Sequence, residues 1–266
     1  MTNYNFKARE VRADIVEWIR EMKNHGLKGV VLGISGGKDS TVVAALCAEA
    51  LGPENVLGVL MPNGDQKDID DSYRVVNTLG IPYMVVNIAD AMKGLVNRID
   101  YGFRSIHNCD KEIELSMPAY VNIGPRIRMT TLYSIAQSMG GGYRVCGTGN
   151  LSERTLGYFT KWGDGASDFN PLGNLTSLEV VAIGDTYENI PSDLIHKTPE
   201  DGLSGMSDEE KLGIKYIDVH EYIRNPEMNV ESPEYKKILE KEAFSMHKKN
   251  EIPIFKPNVK HLYDWF

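Results

Sequence analysis

The chain has 266 residues, 42% of them hydrophobic and 25% charged, enough to bury one substantial core, and the expectation is a single domain spanning 1–266. Its formal net charge of −8 argues against a nucleic-acid backbone as partner, so any nucleotide must sit in a local basic or amide-lined pocket. No run approaches the roughly 20 apolar residues that cross a bilayer, and Cys47, Cys109 and Cys146, widely separated and without CxxC spacing, argue against a disulfide framework or a zinc site and fit a reducing cytoplasm.

Val11, Ile15, Trp18, Ile19 and Met22 recur at helical spacing and Asn24-His25-Gly26 supplies a stop, which predicts a helix over 8–25. The apolar run Gly29 to Ile34 reads as a strand, a glycine-rich turn follows, and Thr41 to Leu51 reads as a helix. The alternation continues with a strand over 56–60, a helix over 68–79, a strand over 83–88, a helix over 121–139 and a strand over 143–146. Such alternation predicts an α/β fold: a doubly wound parallel sheet with helices on both faces. The strands are nearly continuous in apolar residues, as burial on both faces requires, and ligand is expected in the loops at their carboxyl ends. Residues 98–118 read as an irregular excursion between sheet elements. Beyond Asn170, Thr176 with Glu179 and Ser207 with Glu210 form capping-box patterns, and Ser232-Pro233 opens a helix toward Lys249. The stretch 197–206, rich in Gly, Ser and Pro, reads as a mobile flap.

The strongest local signal is Ser35-Gly36-Gly37-Lys38-Asp39-Ser40, after a predicted strand and before a predicted helix. Glycines let the backbone approach an anion closely, and the first amides of a helix present unpaired donors at a positive dipole end. It is not a Walker A loop, because Leu32 stands five before Gly37 and Asp39 follows Lys38. The SGGxDS form resembles the pyrophosphate-binding loop of the N-type ATP pyrophosphatases, which cleave ATP between the α- and β-phosphates. That resemblance alone leaves GMP, asparagine and argininosuccinate synthetases and the tRNA-thiolating enzymes open.

Further along, Gly147-Thr148-Gly149-Asn150-Leu151-Ser152-Glu153 and Gly157-Tyr158-Phe159-Thr160-Lys161-Trp162-Gly163-Asp164-Gly165 are similar to the GT(D/G)xxE and GxxTKxGDG signatures of the NAD synthetases. The resemblance extends through Asn122 to Met129 (NIGPRIRM), residues 197–203, Leu212-Gly213 and His247-Lys248, and so covers nearly the whole chain. It implies an ammonia-dependent NAD synthetase. Such an enzyme uses ATP as co-substrate and Mg²⁺ as cofactor to adenylate the carboxylate of nicotinic acid adenine dinucleotide (deamido-NAD), and ammonia then displaces AMP. Carried over, Gly33, Ile34, Ser35, Gly36, Gly37, Lys38, Asp39, Ser40 and Thr148 would bind ATP, and Asp39 with Glu153 would hold the metal. Arg126, Lys161, Asp168, His247 and Lys248 would contact deamido-NAD, and Asp164 would lie near the reacting carboxylate and ammonia, so that Asp164, Lys38 and Glu153 form the catalytic set. The resemblance also implies a homodimer, while cysteine usage, net charge and the lack of a long apolar run lead to the expectation of a cytoplasmic chain with no nucleic-acid or membrane partner. Met129, Leu132, Tyr133, Ala136 and Met139 at helical spacing are either the dimer stripe or, by default, core packing.

The chain departs from the family at three places. Ser177 stands where relatives carry a Lys that touches ATP phosphates, Leu60-Met61 where many carry an Arg, and Glu200 where a hydroxyl is frequent. Only about 30 residues precede the first predicted strand, so free ammonia is the expected nitrogen source. The six histidines show no HxH or HExxH spacing, which excludes a transition-metal motif. Two competing readings are an adenylating subunit fed by a partner, for which cysteine pairs and a basic face are missing, and a nucleotide sensor, which would not need both Asp39 and Glu153.

Overall fold

A computed structural model describes residues 5–66, 69–107, 112–198, 206–225 and 227–250. Helix α1 (Ala8–Glu21) buries Val16 and Ile19 on one stripe, then a 3₁₀ turn leads to Gly26, whose φ of 83° ends the helix in the left-handed region that glycine adopts most readily. Strand β1 (Gly29–Gly33) follows, then α2 (Lys38–Leu51), β2 (Val56–Leu60), α3 (Ile69–Leu79) and β3 (Tyr83–Val85). Helices α4 (Ala89–Phe103) and α5 (Met117–Ser138) precede β4 (Tyr143–Val145). The remainder is helical: α6 (Leu151–Leu156), α7 (Ser177–Gly184), α8 (Ser192–Ile195), α9 (Asp208–Leu212), α10 (Tyr216–Arg224) and α11 (Pro233–Lys249).

All four strands are parallel, in the order β3-β2-β1-β4. The chain therefore steps outward from β1 through β2 to β3, then returns to the other side of β1, which makes the β1/β4 boundary the topological switch point. In open α/β sheets the crevice at that point, beyond the carboxyl ends of the strands, is where ligands bind. The loops leaving β1 (Ser35–Gly37) and β4 (from Cys146) open into that crevice.

Burial on both faces explains the unbroken apolar strands. Val30 and Leu32 join the core shared with α1, α2 and α7, while Val31, Val59 and Val145 pack against α5. On α5 the residues that meet the sheet include Leu132, Tyr133 and buried Ala136, so this part of the stripe is core packing, whereas Met139 is exposed. A third cluster of Leu156, Leu212, Ile214, Val219 and Ile238 holds α6, α10 and α11 together.

Three expectations need correction. Residues 98–118 are not one irregular excursion: 98–103 are the last turns of α4, and α5 already begins at Met117. Helix α4 carries Met92, Leu95, Val96, Ile99 and Phe103 at helical spacing, a signal missed in the sequence, and it buries only Met92 of them. Strand β3 is a three-residue edge strand with all its residues exposed, not a buried one, and α2 begins at Lys38, three residues before the expected start. Within the expected flap, 199–205 lie outside the described residues.

Candidate active site

The turn after β1 is shaped by its own hydroxyls. Ser40 Oγ donates to Gly37 O (3.1 Å) and lies 3.1 Å from Ser35 Oγ, while Gly37 N–H donates to Ser35 Oγ (3.3 Å). Gly36 has φ 77°, and a Cβ there would stand 2.8 Å from Asp71 Cβ and 2.9 Å from Ser72 N, so both conformation and space demand glycine. No side-chain hydrogen bond caps the start of α2, so its first amides remain unpaired donors at the carboxyl end of β1, the arrangement an anion can complete.

Lys38 is buried, with Nζ 2.7 Å from Asp39 Oδ2. Burial alone would lower its pKa, but Asp39 and Glu153 outweigh that and hold the ammonium above its ordinary value. Across the switch point, Asn150 ties two carboxylates together: its side-chain amide donates to Asp39 Oδ1 (3.1 Å) and its backbone N–H to Glu153 Oε2 (2.9 Å). The second bond is half of a capping box at the start of α6, completed by Glu153 N–H to Asn150 Oδ1 (3.0 Å). Burial first, then the neighbouring Asp39, pushes the Glu153 carboxyl up to about 8, against the opposing pull of Lys38 and the Asn150 amide. Thr148 lies half-buried in the loop between β4 and this box.

The turn 160–165 packs on α5 at Pro125, which lies inside the continuous helix, since a Cβ at Gly163 would meet Pro125 Cβ at 2.9 Å. Trp162 adopts φ 61°, the single non-glycine in the left-handed region among the described residues. Asp164 Oδ1 accepts the Thr160 N–H (3.0 Å), and burial raises its pKa despite that bond and the nearby Lys248. Lys161 Nζ donates to His247 O (2.6 Å), Arg126 Nε to Lys161 O (3.4 Å), and Lys248 Nζ to both Gly157 O and Phe159 O (2.8 Å each). Arg126, Lys161, His247 and Lys248 are thus brought together from three distant segments. Among the described residues no hydrogen bond or ion pair joins Asp168 to them: its carboxylate accepts Val145 N–H (2.8 Å) and Tyr133 OH (3.3 Å) at the edge of β4.

Sequence reasoning missed Asn150, although its N-x-x-E spacing to Glu153 is a readable capping signal. It also missed Arg128 and the ion pair of Lys197 Nζ with Asp71 Oδ2 (2.7 Å), which puts a second cation beside the residue that walls Gly36. Ser177 is buried at the first position of α7, its N–H bonded to Ser152 Oγ (3.1 Å). Cys47 and Cys146, 99 residues apart in sequence, meet in the core with their Sγ atoms 3.8 Å apart, and both are free thiols.

A glycine turn at a switch point, with two half-buried carboxylates tied together beside it, defines the class: a parallel α/β nucleotide-binding protein. Within that class, the chain belongs to the NAD synthase family, which matches residues 11–257. It is 38% identical over 245 residues to the NH(3)-dependent NAD(+) synthetase of Carboxydothermus hydrogenoformans, covering 90% of this chain and 95% of that protein. The NH(3)-dependent NAD(+) synthetase of Pyrococcus furiosus is 40% identical over 217 residues, covering 81% and 77%. Among solved structures, the NMN synthetase of Francisella tularensis overlays with a TM-score of 0.81 at 28% identity, covering 96% of this chain and 100% of that one. The NH3-dependent NAD synthetase of Campylobacter jejuni does so with 0.74 at 27%, covering 94% and 99%.

Proposed function

We propose that residues 1–266 act as one ammonia-dependent NAD synthetase domain, in which ATP adenylates the nicotinate carboxylate of deamido-NAD and ammonia displaces AMP. The observation that carries this reading is the uncapped SGGKDS turn, whose own Asp39 is tied through Asn150 to Glu153.

The turn takes the β- and γ-phosphates, with Gly33, Ile34, Ser35, Gly36, Gly37, Ser40 and Thr148 around the nucleotide and Lys38 against the leaving pyrophosphate. Asp39 and Glu153 suit a hard divalent cation, because desolvation and the neighbouring Asp39 together push the Glu153 carboxyl up, and a positive charge between the two would relieve this. Bound there, Mg²⁺ would neutralise the departing pyrophosphate. A carboxylate oxygen of deamido-NAD attacks the α-phosphorus, and the bond from that phosphorus to the pyrophosphate oxygen breaks. Arg126, Lys161, His247 and Lys248 would hold the bridging phosphates of deamido-NAD, and Asp168 would orient the same substrate from the edge of β4. The nitrogen lone pair of ammonia then attacks the acyl carbon, AMP leaves, and Asp164 accepts the proton that nitrogen sheds.

Exposed Leu95 and Tyr101 on α4, with Met117, Tyr120 and Val121 on α5, offer an apolar surface for a second copy, and a cytoplasmic homodimer is part of this reading. Light scattering on the purified chain should return twice the monomer mass. No described helix is long and apolar enough to cross a membrane.

Incubation of the purified chain with Mg²⁺, ATP, ammonium and deamido-NAD should yield NAD, AMP and pyrophosphate. Formation of ADP and phosphate, or no turnover, overturns the reading. The overlay with the Francisella tularensis NMN synthetase favours a second acceptor of one nucleotide rather than two. A parallel reaction with nicotinic acid mononucleotide separates the two, and the 38% and 40% identity to the Carboxydothermus and Pyrococcus NAD synthetases predicts the larger kcat/KM for the dinucleotide.

A further inference from the structure

One strongly charged side chain in the crevice has no role in the scheme above. Arg128 lies on α5 one turn before Leu132, whose Cδ1 stands 3.9 Å from the position of a Cβ on Gly33, so this part of the helix overhangs the carboxyl end of β1. Its Nε donates to Met61 O (3.1 Å), just past the carboxyl end of β2. Nη1 and Nη2 have no acceptor among the described residues. Gly124, one turn earlier, leaves room for the guanidinium: a Cβ there would stand 3.4 Å from Nη1. Burial lowers the pKa of Arg128, and the group that opposes the shift is Asp164, which in turn lies within electrostatic reach of Glu153. Arg128 is half-buried: its Nε is held on Met61 O while the two outer nitrogens reach solvent in the crevice, a partly desolvated fork with two free donors that a carboxylate can fill bidentately.

On the reading of the reaction given above, the anions fall into three groups. The outer phosphates of ATP have the first amides of α2 and Lys38, and the bridging phosphates of deamido-NAD have Arg126, Lys161 and Lys248. The nicotinate carboxylate, which must approach the negatively charged α-phosphate, has no cation assigned. We propose that Arg128 is a catalytic residue that grips this carboxylate through Nη1 and Nη2, anchored by Nε on Met61 O. One substrate oxygen then attacks phosphorus while the other stays on the guanidinium. When ammonia adds to the acyl carbon, negative charge grows on that second oxygen and the same donor stabilises it, until expulsion of AMP restores the carbonyl.

The test is Arg128→Ala and Arg128→Lys in the wild-type chain context, read by deamido-NAD-dependent exchange of labelled pyrophosphate into ATP and by NAD formation. Both variants should lose about 10²- to 10³-fold in each reaction. The KM for deamido-NAD should rise while the ATP affinity measured without acceptor stays within about twofold, since uniform binding to the other substrate is untouched. Millimolar guanidinium ion should restore part of the activity to Arg128→Ala and none to Arg128→Lys. Retained exchange, or a rise in the ATP constant with the acceptor constant unchanged, overturns the proposal. If Arg128→Ala does not fold, Arg128→Lys decides by the same two constants, because one ammonium cannot bond Met61 O and a carboxylate together. Wild-type turnover in the same assay keeps failure of this inference distinct from failure of the synthetase reading.

Discussion

The SGGKDS turn yields its sharpest prediction from two adjacent glycines that look equivalent in sequence. Replacing Gly36 by Ala puts a Cβ at φ 77°, which costs about 1–2 kcal/mol for an L-residue. It also drives that Cβ to 2.8 Å from Asp71 Cβ and 2.9 Å from Ser72 N, and displacing the first turn of α3 adds about 1–3 kcal/mol. Taking about 3 kcal/mol in total, the melting midpoint should fall by about 6–12 °C for a chain of this size. Gly37→Ala differs in kind. Its backbone is extended (φ −87°, ψ 164°), and its Cβ would meet only Ser35 Oγ at 3.4 Å. The reduced entropy of the unfolded chain offsets the small contact, so its midpoint should stay within about 2 °C of wild type. Calorimetry on the two variants, with pyrophosphate release as the activity readout, decides. Gly36→Ala should also lower kcat/KM for ATP by about 10- to 100-fold as the amides shift by a fraction of an ångström. A Gly36→Ala protein that melts like wild type, or a Gly37→Ala protein that melts lower, refutes the account of why this loop carries glycine at its second position.

Other tests reach the rest of the site. Gly157 ends α6 at φ 65° with its missing Cβ overlapping Ser245 of α11, so Gly157→Ala should lift α11 and raise the KM for deamido-NAD more than that for ATP, by steady-state kinetics. Asp164→Asn keeps the bond from Thr160 N–H but loses the proton acceptor. Amide formation should slow more than pyrophosphate exchange, and equal slowing of both would count against its assigned role. Arg224 pairs with buried Glu179 at 2.8 Å; burial would raise that carboxyl, but Arg224 and the Thr176 amide hold it below its ordinary 4.5. A depressed carboxylate contributes stability above about pH 4.5 that disappears as pH falls through the folded value. Arg224→Leu should therefore cost about 2 kcal/mol in urea unfolding at pH 7, discounted for the partial exposure of the arginine, with a gap that narrows below pH 4.5. A gap independent of pH would place the loss in packing.

Most of the fold was legible because its signals are local. Glycine and the apolar runs punctuate β1, β2 and β4, and the boxes at Thr176 and Ser207 and the cap at Ser232 start α7, α9 and α11 where the spacing predicts. Helix α4 carries Met92, Leu95, Val96, Ile99 and Phe103 at helical spacing, so its stripe was there to be read, although the fold buries only Met92 of it. The edge strand β3 misled because Tyr83, Met84 and Val85 are apolar yet exposed. In the site, the SGGKDS turn and both later motifs announce themselves by composition. Asn150 and Arg128 matter through contacts with Asp39 and Met61, 111 and 67 residues away, which no window along the chain contains. The meeting of Cys47 with Cys146 is hidden in the same way.

The local electrostatics also resolve how a chain of net charge −8 can host two polyanions. Its positive groups are not spread over a face but carried on separate elements: Lys38 on α2, Arg126 and Arg128 on α5, Lys161 in the turn after α6 and Lys248 on α11. Each is anchored by a carbonyl or carboxylate of the protein, so these cations are placed before substrate arrives and less side-chain entropy is lost on binding. Three of the anchors are broken by the same event. Undocking α11 removes Lys248 from Gly157 and Phe159, and frees Lys161 from His247. The acceptor half of the crevice therefore depends on the packing of α11 against α6, whereas the ATP half depends on the β1 turn and α3. Perturbations of the two should separate cleanly in their kinetic constants.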